Sequence, residues 1–120
     1  MYSDIVLDHF NNPRNVGKIE PCAAKGTAGN PSAGNFMVIY LDVEAGRVRD
    51  ARFQTFGCSA AIACGSMITT MAKGRRLEEA VRIDASAIIE ALGGLPLGRR
   101  HCADLAVSAL SEAVRSWKHA

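Results

Sequence analysis

Two thiols and one imidazole occupy positions at which the chain is expected to begin helices. Cys58 follows a strand-like segment and Gly57, and the small residues from Ser59 onward favour a helix. Unpaired backbone N–H groups and the dipole at a helix N-terminus lower the pKa of a thiol, which makes it a nucleophile or a metal ligand. His101 and Cys102 begin the last predicted helix in the same way. These residues therefore predict a metal or sulfur site.

The elements that position these residues follow from hydrophobic periodicity. Residues 36–43 and 47–56 are strand-like, and the short link 44–46 with its glycine predicts that they form an antiparallel hairpin. The helix after Cys58 is expected to end at residues 73–74, a lysine followed by a C-cap glycine. Its predicted inward stripe consists of Ala60, Ala61, Cys64, Met67, Ile68 and Met71.

A short helix is predicted at the start of the chain. Ser3 is a suitable N-cap residue, and the helix has to end before Pro13. His9 lies beside the apolar face of this helix, and we interpret it as a packed histidine with a local hydrogen bond rather than as a ligand. The residues expected on that apolar face are Ile5, Val6 and Phe10.

The C-terminal half is predicted to be helical. Residues 77–83 form a helical turn, Asp84 caps a helix that ends at residues 93–94, and residues 101–117 form the longest helix. The inward face of that last helix is expected to consist of Val107, Leu110, Val114 and Trp117. Residues 14–34 show no periodicity, and residues 29–35 have the composition of an exposed loop. The order of helix, strands and helices indicates an α+β fold with helices over one face of a small sheet.

Length, charge and composition narrow the class of protein. The chain has 120 residues, of which 48% are hydrophobic, so a single domain over residues 1–120 is expected. A net charge of +2 gives no indication of a nucleic-acid or membrane partner, and no apolar run is long enough to span a bilayer. The first residues lack the pattern of a secretory signal, and a cytoplasmic location is therefore expected. In that reducing compartment, four cysteines favour metal binding or thiol chemistry over disulfides.

Five motifs in a fixed order add a family resemblance. They are DHFNNPRNVG at residues 8–17, GNPSAGN at 29–35, FQTFGCSAAIA at 53–63, KGRRLEEA at 73–80 and RRHCADLA at 99–106. Together they closely resemble the iron–sulfur cluster scaffold family of the IscU/NifU N-terminal type. The resemblance extends over nearly the whole chain. It implies an IscU/NifU-like α+β domain without enzymatic activity, with a small antiparallel three-stranded sheet and helices packed on one face.

The resemblance also implies a cargo and partners. In this family a cluster is built from iron and sulfur, a cysteine desulfurase supplies the sulfur, and a cochaperone/chaperone pair promotes release to acceptor proteins. The family's site holds three cysteines, one aspartate and one histidine, of which this sequence keeps Cys58, Cys102 and His101. The expected cargo is a [2Fe–2S] cluster or iron, and zinc is an alternative metal in the isolated protein.

The sequence departs from the family pattern at two places. The loop G-N-P-x-C-G-D reads GNPSAGN here, so Ala33 stands at the cysteine position and Asn35 at the aspartate position. Alanine binds no metal and accepts no persulfide, and an amide oxygen is a weak ligand beside thiolates. The chaperone-binding segment L-P-P-V-K reads LPLGR here. Leu95, Pro96 and Arg99 are therefore partner-binding candidates with a weakened motif.

The missing loop thiol leaves the ligand set incomplete. A [2Fe–2S] cluster usually takes four protein ligands, and one chain supplies three candidates. Three solutions are open: a homodimer that shares one cluster, completion within a monomer by Cys22 or Asn35, or a single zinc or ferrous ion with one outside ligand. We prefer a shared or incompletely ligated cluster. Cys64 is expected to be a core thiol, because it lies six residues into the helix on the apolar stripe.

Three functions follow from these interpretations. The main hypothesis is a non-enzymatic carrier of iron, zinc or an iron–sulfur cluster. The second is a cluster-deficient adaptor or regulator of the cysteine desulfurase, which the loss of the loop cysteine favours and the retention of the other site residues opposes. The third is a persulfide carrier that uses Cys58.

Overall fold

The part of the chain that the structure describes consists of one three-stranded sheet and five α-helices. The computed structural model describes residues 2–30, 32 and 34–118. None of the helices in these residues combines the length and the apolar character that a membrane span requires. The elements confirm the predicted α+β class, and in chain order they are α1 (Asp4–Asn11), β1 (Ala24–Asn30), β2 (Asn35–Glu44), β3 (Arg47–Phe56), α2 (Ser59–Ala72), α3 (Leu77–Ala80), α4 (Ala85–Ala91), a 3₁₀ turn (Leu97–Arg99) and α5 (His101–Lys118).

The three strands form an antiparallel sheet in the order β1–β2–β3. β2 and β3 form the predicted hairpin. Its two turn residues, Ala45 and Gly46, have φ values of 53° and 76°, and positive φ at both central residues is what a type I′ turn requires. At the end of the sheet away from this turn, Gly29 pairs with Phe36 and Phe36 pairs with Phe56. Cys58 follows β3 at that end.

The family resemblance implied a third strand, which the structure confirms as β1, but no residue pattern predicted its position. Its sequence, AKGTAGN, has no aromatic and only one β-branched residue, so it carries no strand signal of its own. Pairing with β2 and packing against α5 determine its conformation. A Cβ at Gly26 would lie 2.2 Å from the backbone oxygen of Ala109, so only glycine allows this close approach. The loop predicted over residues 29–35 is correspondingly shorter, because Asn30 and Asn35 already pair as strand residues.

α2 and α5 pack on the same face of the sheet. Gly26, Ile39 and Phe53 pair across the three strands and therefore share a face. α5 contacts this row at Gly26, and α2 contacts it at Phe53, whose ring lies against Gly65. The largest buried side chains of this layer include Met37, Ile39, Leu41, Phe53, Ile68 and Leu110.

The predicted apolar faces of α1 and α5 are correct at their centres and wrong at their edges. Val6 in α1 and Leu110 and Val114 in α5 are buried as predicted. Three residues that were predicted to face inward are more than a third exposed, namely Ile5, Phe10 and Trp117. Small side chains complete the inward face of α5 and let the helix lie close to the sheet, namely Ala103, Ala106, Ala109 and Ala113.

A buried histidine joins α1 to α2. Ser3 is the N-cap of α1 as predicted, and its hydroxyl oxygen accepts a hydrogen bond from the N–H of Val6 at 3.1 Å. His9 is 8% exposed, and its Nδ1 lies 2.7 Å from the hydroxyl oxygen of Ser66. His9 is therefore a packed histidine, but its hydrogen-bond partner is in α2 and not local as predicted.

Candidate metal and sulfur site

Cys58 is the N-cap residue of α2. Its backbone is extended, with φ −83° and ψ 177°, and its carbonyl oxygen accepts hydrogen bonds from the N–H groups of Ala61 at 3.0 Å and Ile62 at 3.2 Å. The side chain is half-buried. This conformation places the thiol at the positive end of the helix dipole.

His101 and Cys102 lie in the first turn of α5. The 3₁₀ turn before them is held by the N–H of Arg99, which donates to the carbonyl oxygen of Pro96 at 2.9 Å. Cys102 faces the core and is 3% exposed, whereas the side chain of His101 is exposed. The start of α5 thus offers one buried thiol and one imidazole at the surface.

The two helix starts meet at their sulfur atoms. Cys58 Sγ lies 3.8 Å from Cys102 Sγ, and Cys102 Sγ lies 3.7 Å from His101 Nε2. Cys102 is therefore the common neighbour of the other two. Among the residues that the structure describes, no three His, Cys, Asp or Glu side chains are already arranged around one metal position. The fold brings the three predicted residues together but does not pre-form a complete ligand set.

The two thiols differ in acidity. Burial raises the pKa of Cys58, but the N–H groups of Ala61 and Ala60, the Cys102 thiol and the Arg99 guanidinium outweigh this effect, and the pKa lies below its ordinary value. Burial and then the neighbouring Cys58 raise the pKa of Cys102 to about 12. Cys58 is therefore the thiol that ionises first.

An arginine that interacts with a tyrosine lies near the thiols. The Tyr2 side chain raises the pKa of Arg99, and the sulfur atoms of Cys58 and Cys102 also do so. Arg99 is thus within electrostatic reach of both thiols and carries a positive charge at the edge of the site. Nothing in the sequence indicated that Tyr2 interacts with Arg99, because Tyr2 precedes the first helix and no residue pattern relates it to position 99.

Cys64 is buried in the core, as predicted. It is 0% exposed on α2, and burial, with smaller contributions from Cys102 and Cys58, raises its pKa to about 12. A thiol in this environment is inert towards solutes.

The sequence of this chain is similar to those of known proteins. A family model described as the NifU-like N terminal domain matches residues 1–120. The chain belongs to this family. The iron–sulfur cluster assembly scaffold protein IscU 1 of Archaeoglobus fulgidus is 57% identical over 114 residues, which are 95% of this chain and 74% of that protein. The scaffold protein IscU of Azotobacter vinelandii is 46% identical over 122 residues, with 98% and 94% of the two chains covered.

Solved structures support the fold of this NifU-like domain. The crystal structure of the N-terminal part of a nitrogen-fixing NifU-like protein from Brucella abortus matches with a TM-score of 0.75 over 98% of this chain and 94% of that one. At 18% sequence identity this likeness concerns the fold alone. The curated relatives are named as cluster assembly scaffolds, so the NifU-like domain belongs to a scaffold family and not to an enzyme family.

In this NifU-like domain, Cys22 lies at the wrong end of the sheet to complete the site. It precedes β1, whereas Cys58 follows β3 at the end where Phe36 lies between Gly29 and Phe56. Within β1, Ala24 and Gly29 are five residue steps apart, which is roughly 17 Å at the rise of a strand, and Cys22 lies before Ala24. The prediction that Cys22 completes the ligand set within a monomer is therefore corrected.

Asn35 lies at the end of the sheet that carries the thiols. It begins β2, pairs with Asn30 and precedes Phe36, and its side chain is exposed. Asn35 therefore lies at the same end of the sheet as the site, and no hydrogen bond joins its side chain to the sulfur atom of Cys58 or Cys102. Ala33, which occupies the family's cysteine position, lies outside the described residues.

The linker candidates lie between α4 and α5. Leu95 and Pro96 are half-buried and line an open cleft together with Tyr2 and Ser3. Leu97 and Arg99 follow in the 3₁₀ turn, and Leu97 is 85% exposed. The linker therefore presents an exposed apolar residue five positions before Cys102.

Proposed function

We propose that this NifU-like domain carries iron or a [2Fe–2S] cluster on Cys58, Cys102 and His101 and passes it to acceptor proteins. The supporting observation is the 3.8 Å separation of the two sulfur atoms. Two thiolates that bind one tetrahedral ion through metal–sulfur bonds of about 2.3 Å lie about 3.8 Å apart. The thiol pair therefore already has the spacing of a ligated pair, and binding requires little rearrangement of the two sulfurs.

His101 has a suitable position for a third ligand. An imidazole nitrogen and a thiolate on one tetrahedral zinc ion lie about 3.6 Å apart, and His101 Nε2 lies 3.7 Å from Cys102 Sγ. Because the His101 side chain is exposed, it can turn towards an ion held by the two sulfurs without disturbing the core.

The charge of the surroundings favours bound thiolates. Cysteines lose their protons when they bind metal, so their environment has to stabilise negative charge. Cys58 receives this stabilisation from the start of α2, and the Arg99 guanidinium acts on both sulfurs. The buried Cys102 gives up its proton less readily, so metal affinity is expected to rise with pH.

We further propose that two copies of the chain share one [2Fe–2S] cluster. Such a cluster takes four protein ligands, and Cys58 and Cys102 from each of two copies supply four thiolates. Phe56, 67% exposed, and Leu97, 85% exposed, flank the site in sequence and would be covered by an isologous contact around the shared cluster. A single iron or zinc ion completed by Asn35 or an outside ligand is the monomeric alternative.

The proposed partners are a cluster donor system and acceptor proteins. A scaffold role requires both in general. We assign the sulfur donor to a cysteine desulfurase and the release step to a cochaperone/chaperone pair that engages Leu95, Pro96 and Arg99. The exposed Leu97 within this linker supports its accessibility. The comparisons favour neither the adaptor nor the persulfide carrier as an alternative.

Cobalt titration tests the proposed site. Co²⁺ bound by thiolates has an intense charge-transfer absorption, and we expect it to appear on anaerobic titration of the reduced protein. Cys58→Ser and Cys102→Ser should abolish this absorption, and His101→Ala should weaken the affinity. Cys64→Ser is the matched control. Cys64 lies in α2, the helix that Cys58 caps, but it is buried in the core away from solutes. Equal absorption in all four variants would place the metal elsewhere.

Stoichiometry tests the shared cluster. After anaerobic reconstitution with iron and sulfide, iron and sulfide per chain are measured together with the mass in solution. One cluster per two chains in a dimer that dissociates when iron is chelated supports sharing. A stable cluster on a monomer would refute it.

A further inference from the structure

The Cys58–Cys102 pair has an asymmetry that metal binding does not require. The two sulfurs lie 3.8 Å apart, but Cys58 is half-buried at the start of α2 while Cys102 is 3% exposed behind it. A reachable thiol next to a second, resolving thiol is the arrangement found in redox-sensitive cysteine pairs.

We propose that Cys58 and Cys102 form a thiol-oxidation site whose substrate is a low-molecular-weight disulfide, such as oxidised glutathione, and whose product is an intramolecular Cys58–Cys102 disulfide. This chemistry needs no metal and is independent of the function proposed above. It assigns different roles to the two sulfurs: Cys58 attacks, and Cys102 resolves.

The reaction is two successive thiol–disulfide exchanges. In the first, Cys58 Sγ attacks one sulfur of the small disulfide, the S–S bond breaks, and one small thiol leaves with the proton that Cys58 loses. In the second, Cys102 Sγ attacks the Cys58 sulfur of the mixed disulfide, and the second small thiol leaves with the proton of Cys102. Two protein thiols are oxidised, one small disulfide is reduced to two thiols, and no other reactant is needed.

The geometry favours ring closure over a stable mixed disulfide. A disulfide requires sulfurs about 2.05 Å apart, so each Sγ has to move by only about 1 Å from its present position. Once the small molecule is attached to Cys58, the resolving sulfur is already in contact distance. Attack by solutes at Cys102 itself is blocked by its burial.

The other two cysteines are unsuited to this reaction. Cys64 is 0% exposed and cannot be reached by a solute. Cys22 is half-buried before β1, at the end of the sheet opposite the one that Cys58 follows, so neither Cys58 nor Cys102 is placed to act as its resolving partner. Oxidation is therefore expected to select one pair out of four cysteines.

Mass spectrometry of the metal-free protein tests the site. The fully reduced chain is treated with oxidised glutathione under argon, quenched in acid, unfolded and alkylated. We expect a species that has lost two hydrogen atoms and accepts two alkyl groups instead of four, with a peptide that links residues 58 and 102. A linked peptide containing Cys22 or Cys64 as the main product, or a wild-type protein that stops at the glutathione adduct, would overturn the proposal.

Single substitutions separate the two roles. Cys102→Ser should accumulate the glutathione adduct on Cys58, because the resolving thiol is absent. Cys58→Ser should lose the linked product and carry no adduct at Cys102. Cys64→Ser, the matched control, should give the wild-type product at the wild-type rate. Since Cys58→Ser changes a half-exposed residue, its folding can be verified by circular dichroism, and a folded variant that still forms a disulfide through Cys102 contradicts the assignment.

Oxidation should also control metal uptake, and this consequence rests on the proposed function. The disulfide has no thiolate to offer, so oxidised protein should lose the Co²⁺ charge-transfer absorption and regain it on reduction with dithiothreitol. If reduced protein binds no Co²⁺ while the linked peptide forms, the metal function fails and the oxidation site stands. If Co²⁺ binds and no linked peptide forms, the oxidation site fails and the metal function stands.

Discussion

His9 Nδ1 lies 2.7 Å from Ser66 Oγ, and the same hydroxyl oxygen accepts a hydrogen bond from the backbone N–H of Arg14 at 2.9 Å. Ser66 is 0% exposed in the middle of α2. The Ser66 hydroxyl therefore binds both α1 and the segment that follows it to α2. The protonation state of His9 is consequently linked to the stability of the fold.

Stability should fall as His9 becomes protonated. Burial lowers the pKa of His9 below 6.5, Arg14 lowers it further, and Asp8 opposes this in part. The unfolded chain therefore binds the proton first, and the contribution of neutral His9 is complete above pH 6.5 and is lost as the pH falls through the lowered pKa. Urea unfolding between about pH 7 and pH 5 should show a decreasing free energy of unfolding.

His9→Gln is the control for this effect. Glutamine keeps a polar side chain but does not titrate, so the decrease over the same range should be smaller in the variant. All other ionisable groups are the same in both proteins, so their effects cancel in the comparison. Parallel pH profiles would assign the dependence to other groups.

Gly26 should tolerate no side chain. A Cβ there would lie 2.2 Å from both the backbone oxygen of Ala109 and the backbone nitrogen of Ala113, and a backbone cannot rotate away as a side chain can. Gly26→Ala is expected to cost about 1–3 kcal/mol or more in the free energy of unfolding. Gly98→Ala is the matched control, because no atom lies within 4 Å of its added Cβ. Equal midpoints in urea would mean that α5 does not pack on β1 as described.

Gly26 also shows why part of the fold was not predictable from the sequence. The β2–β3 hairpin and the long helices have strong periodicity or turn chemistry, and these local patterns were sufficient to predict them. β1 has neither periodicity nor turn chemistry. Its small residues allow α5 to approach closely, and they have low strand propensity. Its conformation is a consequence of tertiary packing, and a single sequence window does not contain that information.

The candidate site also has a part that the sequence predicts and a part that depends on the tertiary structure. The helix starts at Cys58 and His101 could be predicted from local residue types. The contact between Cys58 and Cys102 joins residues 44 positions apart; the residue types and the family resemblance suggested a common site, but no local pattern specified the contact. The position of Tyr2 beside Arg99 and that of Cys22 far from the site depend on the chain path, and no residue pattern indicated either.

Arg99 should tune the reactivity of Cys58. Its guanidinium stabilises the thiolate, so Arg99→Gln should raise the pKa of Cys58 and slow its alkylation by iodoacetamide at neutral pH. Because Arg99 is exposed and screened by solvent, we expect about a twofold effect that diminishes with added salt. Arg100→Gln, one residue further along the chain, serves as the control. An identical pH–rate profile for Arg99→Gln and wild type would show that Arg99 does not affect the pKa of Cys58.

Restoring the loop thiol should convert a shared cluster into one held by a single chain. The connection that contains Ala33 joins Asn30 to Asn35 at the end of the sheet that carries Cys58, so a cysteine at position 33 adds a third thiol on that side. With His101, Ala33→Cys would supply four ligands per chain, and anaerobic reconstitution should about double the cluster content per chain while the dimer gives way to a monomer. Ala45→Cys adds the same thiol to the exposed turn at the opposite end of the sheet and should change neither quantity. If Ala33→Cys stays dimeric with an unchanged cluster content, the absent loop thiol is not what limits the site.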